Sequence, residues 1–109
     1  MKRYGWVIAL KAEKRATYEQ LHRDVWDDVL SKISDCSIRN YTIFLREPEN
    51  LLFGYFEYVG NDFDADMAKM ANDSRTQEWW ELTDPCQTPL ETAAAGETWS
   101  PLREVFHVD

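Results

Sequence analysis

Residues 36–60, CSIRNYTIFLREPENLLFGYFEYVG, decide the fold class of this 109-residue chain. Two runs rich in β-branched and aromatic residues begin at Cys36 and Leu51, and such runs are typical of strands. The EPEN segment that joins them, residues 47–50, has the composition of a tight turn. The stretch therefore predicts an antiparallel β-hairpin.

The segments on either side of this hairpin predict one further strand and two helical regions. Upstream, Tyr4–Lys11 (YGWVIALK) predicts a strand, and helical periodicity then runs from about Ala12 to about Ser34. Downstream, residues 62–73 (DFDADMAKMAND) and 75–83 (RTQEWWELT) form a second helical region, with a break expected near residues 72–74.

The C-terminal quarter completes the pattern of elements. A proline-containing segment from Pro85 to Pro101 is followed by residues 102–109 (LREVFHVD), which predict a final strand. The resulting β-α-β-β-α-β order is that of the ferredoxin-like α+β fold with an antiparallel sheet. The length and the absence of a linker indicate a single domain over residues 1–109.

Both faces of the predicted strands are apolar, which indicates a partner for the sheet. The alternating residues are Tyr41, Ile43 and Leu45 against Ile38 and Phe44, and Phe53 and Tyr55 against Leu52 and Phe56. A half-solvated antiparallel sheet would carry polar residues on one face. We therefore expect a two-fold homodimer with packed sheets, a dimeric α/β barrel.

Composition excludes several classes of function. The net charge of −8 argues against a nucleic-acid partner and against an anionic membrane surface. The longest apolar stretches are strand-sized, so no membrane span is predicted. The chain has no phosphate loop, no dinucleotide fingerprint and no metal-ligand cluster, so we expect neither a cofactor nor a metal.

The two cysteines point to a reducing compartment. Cys36 and Cys86 are far apart in sequence and form no CxxC pair. Two reduced thiols in a cytoplasmic protein are expected, and a disulfide between them stays open as an alternative.

A histidine lies in the apolar stripe of the first helical region. At about 100° per residue, His22 falls between Val29 and Ile33 on the helical wheel. Tyr18, His22 and Trp26 have the spacing i, i+4, i+8, so one ridge of the predicted helix carries all three toward the sheet. His22 is then either a core histidine with one polar partner or the acid/base group of a pocket, and periodicity alone does not choose.

Further aromatic residues favour a pocket. Tyr41 is predicted in the middle of its strand, with Asn40 on the opposite face. Trp79 and Trp80 differ in direction by about 100° on their helix, so one can enter the core while the other lines a cleft. The flat face of an indole suits the C–H face of a sugar, and simple packing is the alternative.

The ordered set of these motifs resembles the L-rhamnose mutarotase family nearly end to end. The matching segments are YEQLHRDVW (18–26), NYTIFL (40–45), LLFGYFEY (51–58), the Trp79-Trp80 pair and EVFHV (104–108). One departure is WDD at residues 26–28, where members commonly have a proline followed by a glutamate. The two aspartates of this segment fall on the outward side of the predicted helix.

The resemblance implies a small, cofactor-free, dimeric sugar epimerase. By residue type it implies His22 as the catalytic acid/base and Tyr18, Tyr41, Trp79 and Trp80 as substrate contacts. We also expect Trp26 to contact the substrate, because it shares the ridge of His22.

The implied reaction interconverts the α and β anomers of a 6-deoxy-L-hexose, here L-rhamnose. The anomeric hydroxyl loses a proton, the ring oxygen gains one, and the opened sugar recloses on its other face. Acid/base help of this kind is typically worth about 10² to 10⁴ in rate. The second proton-transfer group is left open among Tyr18, Tyr41 and water.

Three further functions are compatible with the sequence. The first is an L-fucose mutarotase. The second is a cofactor-free monooxygenase or haem-handling protein of the same dimeric α/β barrel. The third is a dimerisation domain without enzymatic activity.

Overall fold

Five strands and four α-helices make up the structure, a computed structural model that describes residues 1–109. The strands are β1 (Lys2–Leu10), β2 (Ile38–Arg46), β3 (Leu51–Tyr58), β4 (Gln87–Thr88) and β5 (Ser100–Leu102). The helices are α1 (Arg15–Arg23), α2 (Asp27–Asp35), α3 (Phe63–Ala71) and α4 (Ser74–Thr83). Short 3₁₀ turns precede α1 at Ala12–Lys14 and follow α4 at Asp84–Cys86.

The strands form one antiparallel sheet in the order β2-β3-β1, and β4 and β5 both pair with the remaining edge of β1. The predicted hairpin is confirmed, since the turn at residues 47–50 joins β2 to β3. The break expected near residues 72–74 is confirmed as well, since α3 ends at Ala71 and α4 begins at Ser74. The predicted ferredoxin-like α+β fold is thereby confirmed.

The first helical region is two helices, so the single helix predicted from about residue 12 to 34 is wrong. Asp24 leaves helical geometry at φ −145° and ψ 64°, and Trp26 is extended at φ −60° and ψ 137°. Asp27 and Asp28 then occupy the first turn of α2, where the helix dipole favours negative charge. The apolar stripe continues across the break, which is why periodicity alone did not reveal it.

The final strand predicted over residues 102–109 is also wrong, because β5 ends at Leu102. Leu102 lies opposite Gly5, and this register brings Glu104 next to Arg3, whose Nε donates to Glu104 Oε1 at 2.8 Å. β1 begins at Lys2, so the chain beyond Glu104 runs past the end of its partner strand.

Two buried clusters lie between the helices and the sheet. The first contains Ile8, Leu10, Tyr18, Leu52 and Cys86, with Trp99 packed against it. The second contains Ile38, Phe56 and Tyr58, with Ile33, Phe63 and Met67 packed against it. Burial of these apolar side chains is the main stabilising contribution to the fold. Cys36 and Cys86 are both buried and both free thiols.

The second face of the sheet carries exposed apolar side chains, as the alternation predicted, beside polar residues that include Asn40 and Glu57. Phe44 of β2 lies opposite Phe53 of β3, and they are 64% and 36% exposed. Leu102 of β5, in the neighbouring row, is 46% exposed. Among the helices, none has the length and apolar character needed to cross a membrane.

Candidate active site

A cleft of 810 Å³ opens between the helices and the sheet, and a smaller cavity of 310 Å³ adjoins it. Both are lined by five of the residues predicted for the site: Tyr18, His22, Tyr41, Trp79 and Trp80. The residues come from α1, β2 and α4, so the fold assembles the predicted site from three separate segments of the chain.

Trp26 is the predicted site residue that lines neither cavity. The helix break after Arg23 takes it off the ridge of His22 and places it before α2. Its ring packs edge-on against Trp79 at a centroid distance of 5.3 Å, and the Arg75 guanidinium lies 4.1 Å from its ring centroid. Trp26 therefore supports Trp79 from behind, so the expected substrate contact by Trp26 is not supported.

His22 is held in the wall of the cleft by its own helix. Its Nδ1 lies 2.8 Å from the backbone carbonyl oxygen of Tyr18. A carbonyl oxygen only accepts hydrogen bonds, so Nδ1 carries a hydrogen in both the neutral and the protonated ring, and Nε2 is the nitrogen that gains or loses a proton. No hydrogen bond within the protein occupies Nε2. One nitrogen is thus satisfied as in a core histidine, while the other is available for proton transfer.

Tyr18 is buried in the wall of the cleft, at 4% exposure. Gln87 Nε2 donates a hydrogen bond to its hydroxyl oxygen at 3.2 Å, and the rings of Tyr18 and His22 are 4.3 Å apart. Burial raises the pKa of the Tyr18 hydroxyl far above its usual range, so it stays neutral. Because Gln87 is the donor of that bond, the hydroxyl hydrogen of Tyr18 is left for a ligand.

A β-bulge aims Tyr41 into the cleft. Asn40 and Tyr41 together lie opposite the single residue Phe56, and Asn40 has φ +52°. Such a bulge re-aims a side chain, and asparagine tolerates this left-handed backbone. The Tyr41 ring meets Phe56 at 5.6 Å, and Asn40 Nδ2 donates to Glu57 Oε1 at 2.9 Å on the other face.

The same bulge corrects the predicted alternation of β2. Ile38 was expected on the face opposite Tyr41, but it is 4% exposed and joins the cluster of Phe56 on the helical side. The extra residue shifts the alternation by one, so Ile38 and Tyr41 share a face. Burial also raises the pKa of the Tyr41 hydroxyl, although 46% of the residue is exposed.

The two adjacent tryptophans divide their roles as their helical directions predict. Trp79 is 6% exposed and packs edge-on against His22 at a centroid distance of 5.5 Å. Trp80 is 36% exposed and lines the cleft. Trp79 therefore belongs to the core behind the imidazole, and Trp80 presents indole surface to a ligand.

The smaller cavity also contains residues that the sequence analysis did not single out: Thr83, Asp84, Gln87, Thr98 and Trp99. The first three follow the tryptophan pair within the segment TDPCQT, where Asp-Pro marks the end of α4 and gives no chemical signal. The other two come from an irregular segment without periodicity. No group of three or more His, Cys, Asp or Glu side chains is arranged to hold a metal ion.

This arrangement suits a small polyhydroxylated ligand. Tyr18, Tyr41 and Gln87 supply neutral hydrogen-bonding groups, the aromatic walls accept C–H surface, and His22 supplies an imidazole with a free nitrogen. Fold and site together define a small ferredoxin-like α+β protein whose cleft combines a histidine with neutral hydrogen-bonding groups, an arrangement suited to acid/base chemistry.

Sequence comparisons identify the family. Residues 3–108 match the family model for L-rhamnose mutarotase. The chain is 32% identical to the L-rhamnose mutarotase of Oceanobacillus iheyensis over 109 residues, with 100% of both chains covered. It is likewise 32% identical over 112 residues to the L-rhamnose mutarotase of Opitutus terrae, with 100% of both covered. The chain belongs to the L-rhamnose mutarotase family.

Solved structures agree on the fold. The crystal structure of an L-rhamnose mutarotase from Formosa agariphila superposes with a TM-score of 0.79 at 21% identity, with 100% of both chains covered. Tetracenomycin F2 cyclase from Streptomyces glaucescens follows at 0.71 and 12% identity, again over 100% of both chains. A putative antibiotic biosynthesis monooxygenase from Nitrosomonas europaea reaches 0.58 at 13% identity, over 93% of this chain and 94% of its own. At these identities the likeness extends to the fold alone.

Proposed function

We propose that this enzyme interconverts the α and β anomers of L-rhamnose, with His22 as a proton-transfer group. The observation that carries the proposal is the position of His22, whose Nδ1 is held at the Tyr18 carbonyl while its ring lines an aromatic cleft. Membership of the L-rhamnose mutarotase family supports the choice of sugar. The relatives above are named for L-rhamnose, so an L-fucose mutarotase is not favoured.

Ring opening requires two proton transfers that the cleft is equipped to assist. In its imidazolium form His22 donates a proton from Nε2 to the ring oxygen as the bond from that oxygen to the anomeric carbon breaks. A second group takes the proton of the anomeric hydroxyl, whose oxygen becomes the aldehyde oxygen. Reclosure on the other face of the aldehyde returns both protons to their donors.

The two tyrosines orient the sugar and do not act as bases. Burial raises the pKa of both Tyr18 and Tyr41, so each is a neutral phenol at the pH where histidine titrates. A neutral phenol donates a hydrogen bond to a sugar oxygen, and Tyr18 is poised to do so because Gln87 donates to its oxygen. The rings add apolar surface for the C–H faces of the sugar.

The apolar walls also fit the methyl group of a 6-deoxyhexose. Of the residues that line the larger cleft, 17 of 21 are hydrophobic. A hydrophobic pocket rejects an analogue with one extra hydroxyl only modestly, by about 10²-fold. We therefore expect L-mannose, which carries a hydroxymethyl group in place of the methyl, to be a poorer substrate without being excluded.

Neither a monooxygenase nor a dimerisation domain without activity gains support from a specific observation. The monooxygenase and cyclase neighbours share the fold at 13% and 12% identity, which carries no activity over to this chain. An inactive dimerisation domain gives no reason for an imidazole nitrogen left without a partner in an open cleft.

The proposed assembly is a homodimer in which a second copy covers the open face of the sheet. Phe44, Phe53 and Leu102 form an exposed apolar surface there, and large surfaces of this kind mark interfaces. The C-terminal residues Val105, Phe106 and Val108, between 72% and 79% exposed, add apolar side chains without a partner in the protomer. The buried free thiols of Cys36 and Cys86 support our expectation of the reducing cytoplasm as the location.

The test is anomer exchange by saturation-transfer NMR on equilibrated L-rhamnose, with L-fucose and L-mannose as comparison sugars. We expect wild type to accelerate L-rhamnose exchange above the uncatalysed rate, and His22→Ala to lose about 10² to 10⁴ of that acceleration. His107→Ala is the control, since His107 is the other histidine and contacts Asp109 at the C-terminus. No acceleration by wild type, or full acceleration by His22→Ala, would contradict the proposal.

A further inference from the structure

The smaller cavity contains one carboxylate, that of the exposed residue Asp84. The other residues around this cavity carry neutral side chains apart from His22, and no lysine, arginine or second carboxylate is among them. His22 and Tyr18 face the cavity from α1 and Tyr41 faces it from β2. Asp84 is thus the remaining group there whose ordinary ionisation provides a base.

Asp84 has no structural partner. It directly follows Thr83 at the C-terminal end of α4 and begins the 3₁₀ turn to Cys86. Unlike Asp62 and Asp73, which cap α3 and α4, its carboxylate accepts no hydrogen bond and forms no ion pair. A negative charge at the C-terminal end of a helix is also unfavourable. The residue is exposed, so water solvates the carboxylate and no interaction within the protein holds it.

We propose that Asp84 is the second proton-transfer group of the reaction, taking the proton of the anomeric hydroxyl while His22 protonates the ring oxygen. The inference rests on the proposed anomerase function and names the base that function needs. Asp84 shares the smaller cavity with His22, and both tyrosines there are neutral phenols, which excludes them as bases.

The proton balance closes with these two groups. The anomeric O–H bond breaks and its proton goes to an Asp84 oxygen, while the electron pair forms the aldehyde C=O. The bond between the anomeric carbon and the ring oxygen breaks, and the ring oxygen takes the proton of His22 Nε2. The reverse transfers on the other face of the aldehyde return Asp84 to carboxylate and His22 to imidazolium, with no oxidant or co-reactant.

The pKa of the Asp84 carboxyl group is shifted in the direction that favours proton acceptance. Desolvation by the neighbouring side chains raises the pKa of its carboxyl group above the ordinary value, although the residue as a whole is exposed. A base with a pKa closer to the working pH shares a proton with an alcohol more effectively. The direction agrees with a carboxylate that accepts a proton during the reaction.

The experiment compares Asp84→Asn and Asp84→Glu with wild type by anomer-exchange NMR at varied L-rhamnose concentration and pH. Asparagine keeps the shape and the hydrogen-bonding carbonyl but cannot take the proton, so we expect kcat to fall about 10²-fold with KM nearly unchanged. Wild type should lose activity in acid as Asp84 is protonated, and this limb should vanish in Asp84→Asn and return in Asp84→Glu. Glu81→Gln is the control, because Glu81 lies in the last turn of α4, close to Asp84 in sequence, and lines neither cavity.

These measurements test the role of Asp84 separately from the proposed mutarotase function. Unchanged kcat in Asp84→Asn, a rise confined to KM, or a kcat loss that leaves the acid limb in place would each overturn it. Should Asp84→Asn fail to fold by circular dichroism, the acid limb of Asp84→Glu against wild type decides, and an unmoved limb overturns the proposal. If wild type does not accelerate exchange at all, the proposed function fails instead.

Discussion

His22 Nδ1 lies 2.8 Å from the carbonyl oxygen of Tyr18, the residue one helical turn earlier in α1. The backbone therefore sets the hydrogen position on the imidazole, and no second side chain is needed to orient the ring. The same residue, Tyr18, places its own hydroxyl in the cleft beside that ring. One turn of α1 thus holds both a proton-transfer group and a hydrogen-bond donor.

Tyr18→Phe tests the role of the Tyr18 hydroxyl separately from the role of its ring. Phenylalanine keeps the buried ring, but Gln87 Nε2 loses its acceptor and the ligand loses a donor. We expect the free energy of unfolding to fall by about 1–3 kcal/mol for the unpaired group, and KM to rise more than kcat falls. Urea unfolding and anomer-exchange kinetics measure the two effects. Tyr55→Phe, which removes a hydroxyl bonded to Glu57 outside the cleft, is the matched control, and equal kinetic effects in both variants would refute the assignment.

The adjacent tryptophans should respond differently to truncation. Trp79→Ala removes a ring that is 6% exposed and packs against both His22 and Trp26, so we expect a loss of about 3–5 kcal/mol in stability. Trp80→Ala removes a ring that is 36% exposed, with a smaller loss of about 1–2 kcal/mol. The second variant should instead raise KM about tenfold. Thermal unfolding together with exchange kinetics checks the pair, and a reversed order of stability losses would contradict this division of roles.

Much of the fold was predictable because most of its strands and helices have a clear local sequence pattern. β-Branched and aromatic runs around the EPEN turn define the hairpin, and the apolar stripe containing Tyr18 and His22 faces the sheet as its period requires. Two features were not predictable, because neither of them changes the local sequence pattern. Periodicity persists through the break at Asp24–Trp26, and strand alternation does not record the extra residue at Asn40.

The sequence predicted the site residues that lie on regular helices and strands, and it did not predict those on irregular segments. Tyr18, His22 and Tyr41 occupy positions that a helical wheel or a strand register can place. Asp84 and Gln87 reach the smaller cavity from a 3₁₀ turn and a two-residue strand, whose position depends on how the chain leaves α4. Such segments carry no period, so only the tertiary structure brings these two side chains to His22.

Asn40 should control activity through the backbone. Its φ of +52° is strained for a β-branched residue and free for glycine. We expect Asn40→Val to cost about 1–3 kcal/mol in stability and to lower activity by misdirecting Tyr41, while Asn40→Gly keeps most activity. Both variants lose the hydrogen bond to Glu57, so their difference isolates the backbone effect. Equal exchange rates in the two variants would show that the bulge does not aim Tyr41.

Acid should destabilise the protein partly through Asp73. The Asp73 carboxylate accepts hydrogen bonds from Thr76 N at 2.9 Å and Thr76 Oγ1 at 2.8 Å, and these bonds lower its pKa. A lowered folded-state pKa means that the stabilisation is complete above the unfolded value of about 3.9 and is lost as pH falls below it. Asparagine caps the helix without titrating.

In Asp73→Asn we therefore expect the free energy of unfolding to decline less between pH 5 and pH 3 than in wild type, measured by urea titration. Glu91→Gln serves as the comparison, because Glu91 is exposed and makes no hydrogen bond or ion pair. If Asp73→Asn and wild type decline in parallel, the cap does not contribute to acid sensitivity.

The open face of the sheet should determine the oligomeric state. Phe44 is 64% exposed in the protomer, so Phe44→Glu removes little from the protomer's own packing but would place an unpaired charge in the proposed interface. A cost of about 3 kcal/mol in association corresponds to a rise in the dimer Kd of about 100-fold. Sedimentation velocity at micromolar concentration should then show wild type as a dimer and Phe44→Glu shifted toward monomer. Leu82→Glu introduces the same charge at a 44% exposed position on α4 and should remain dimeric. A monomeric wild type, or dissociation by Leu82→Glu alone, would place the interface elsewhere or remove it.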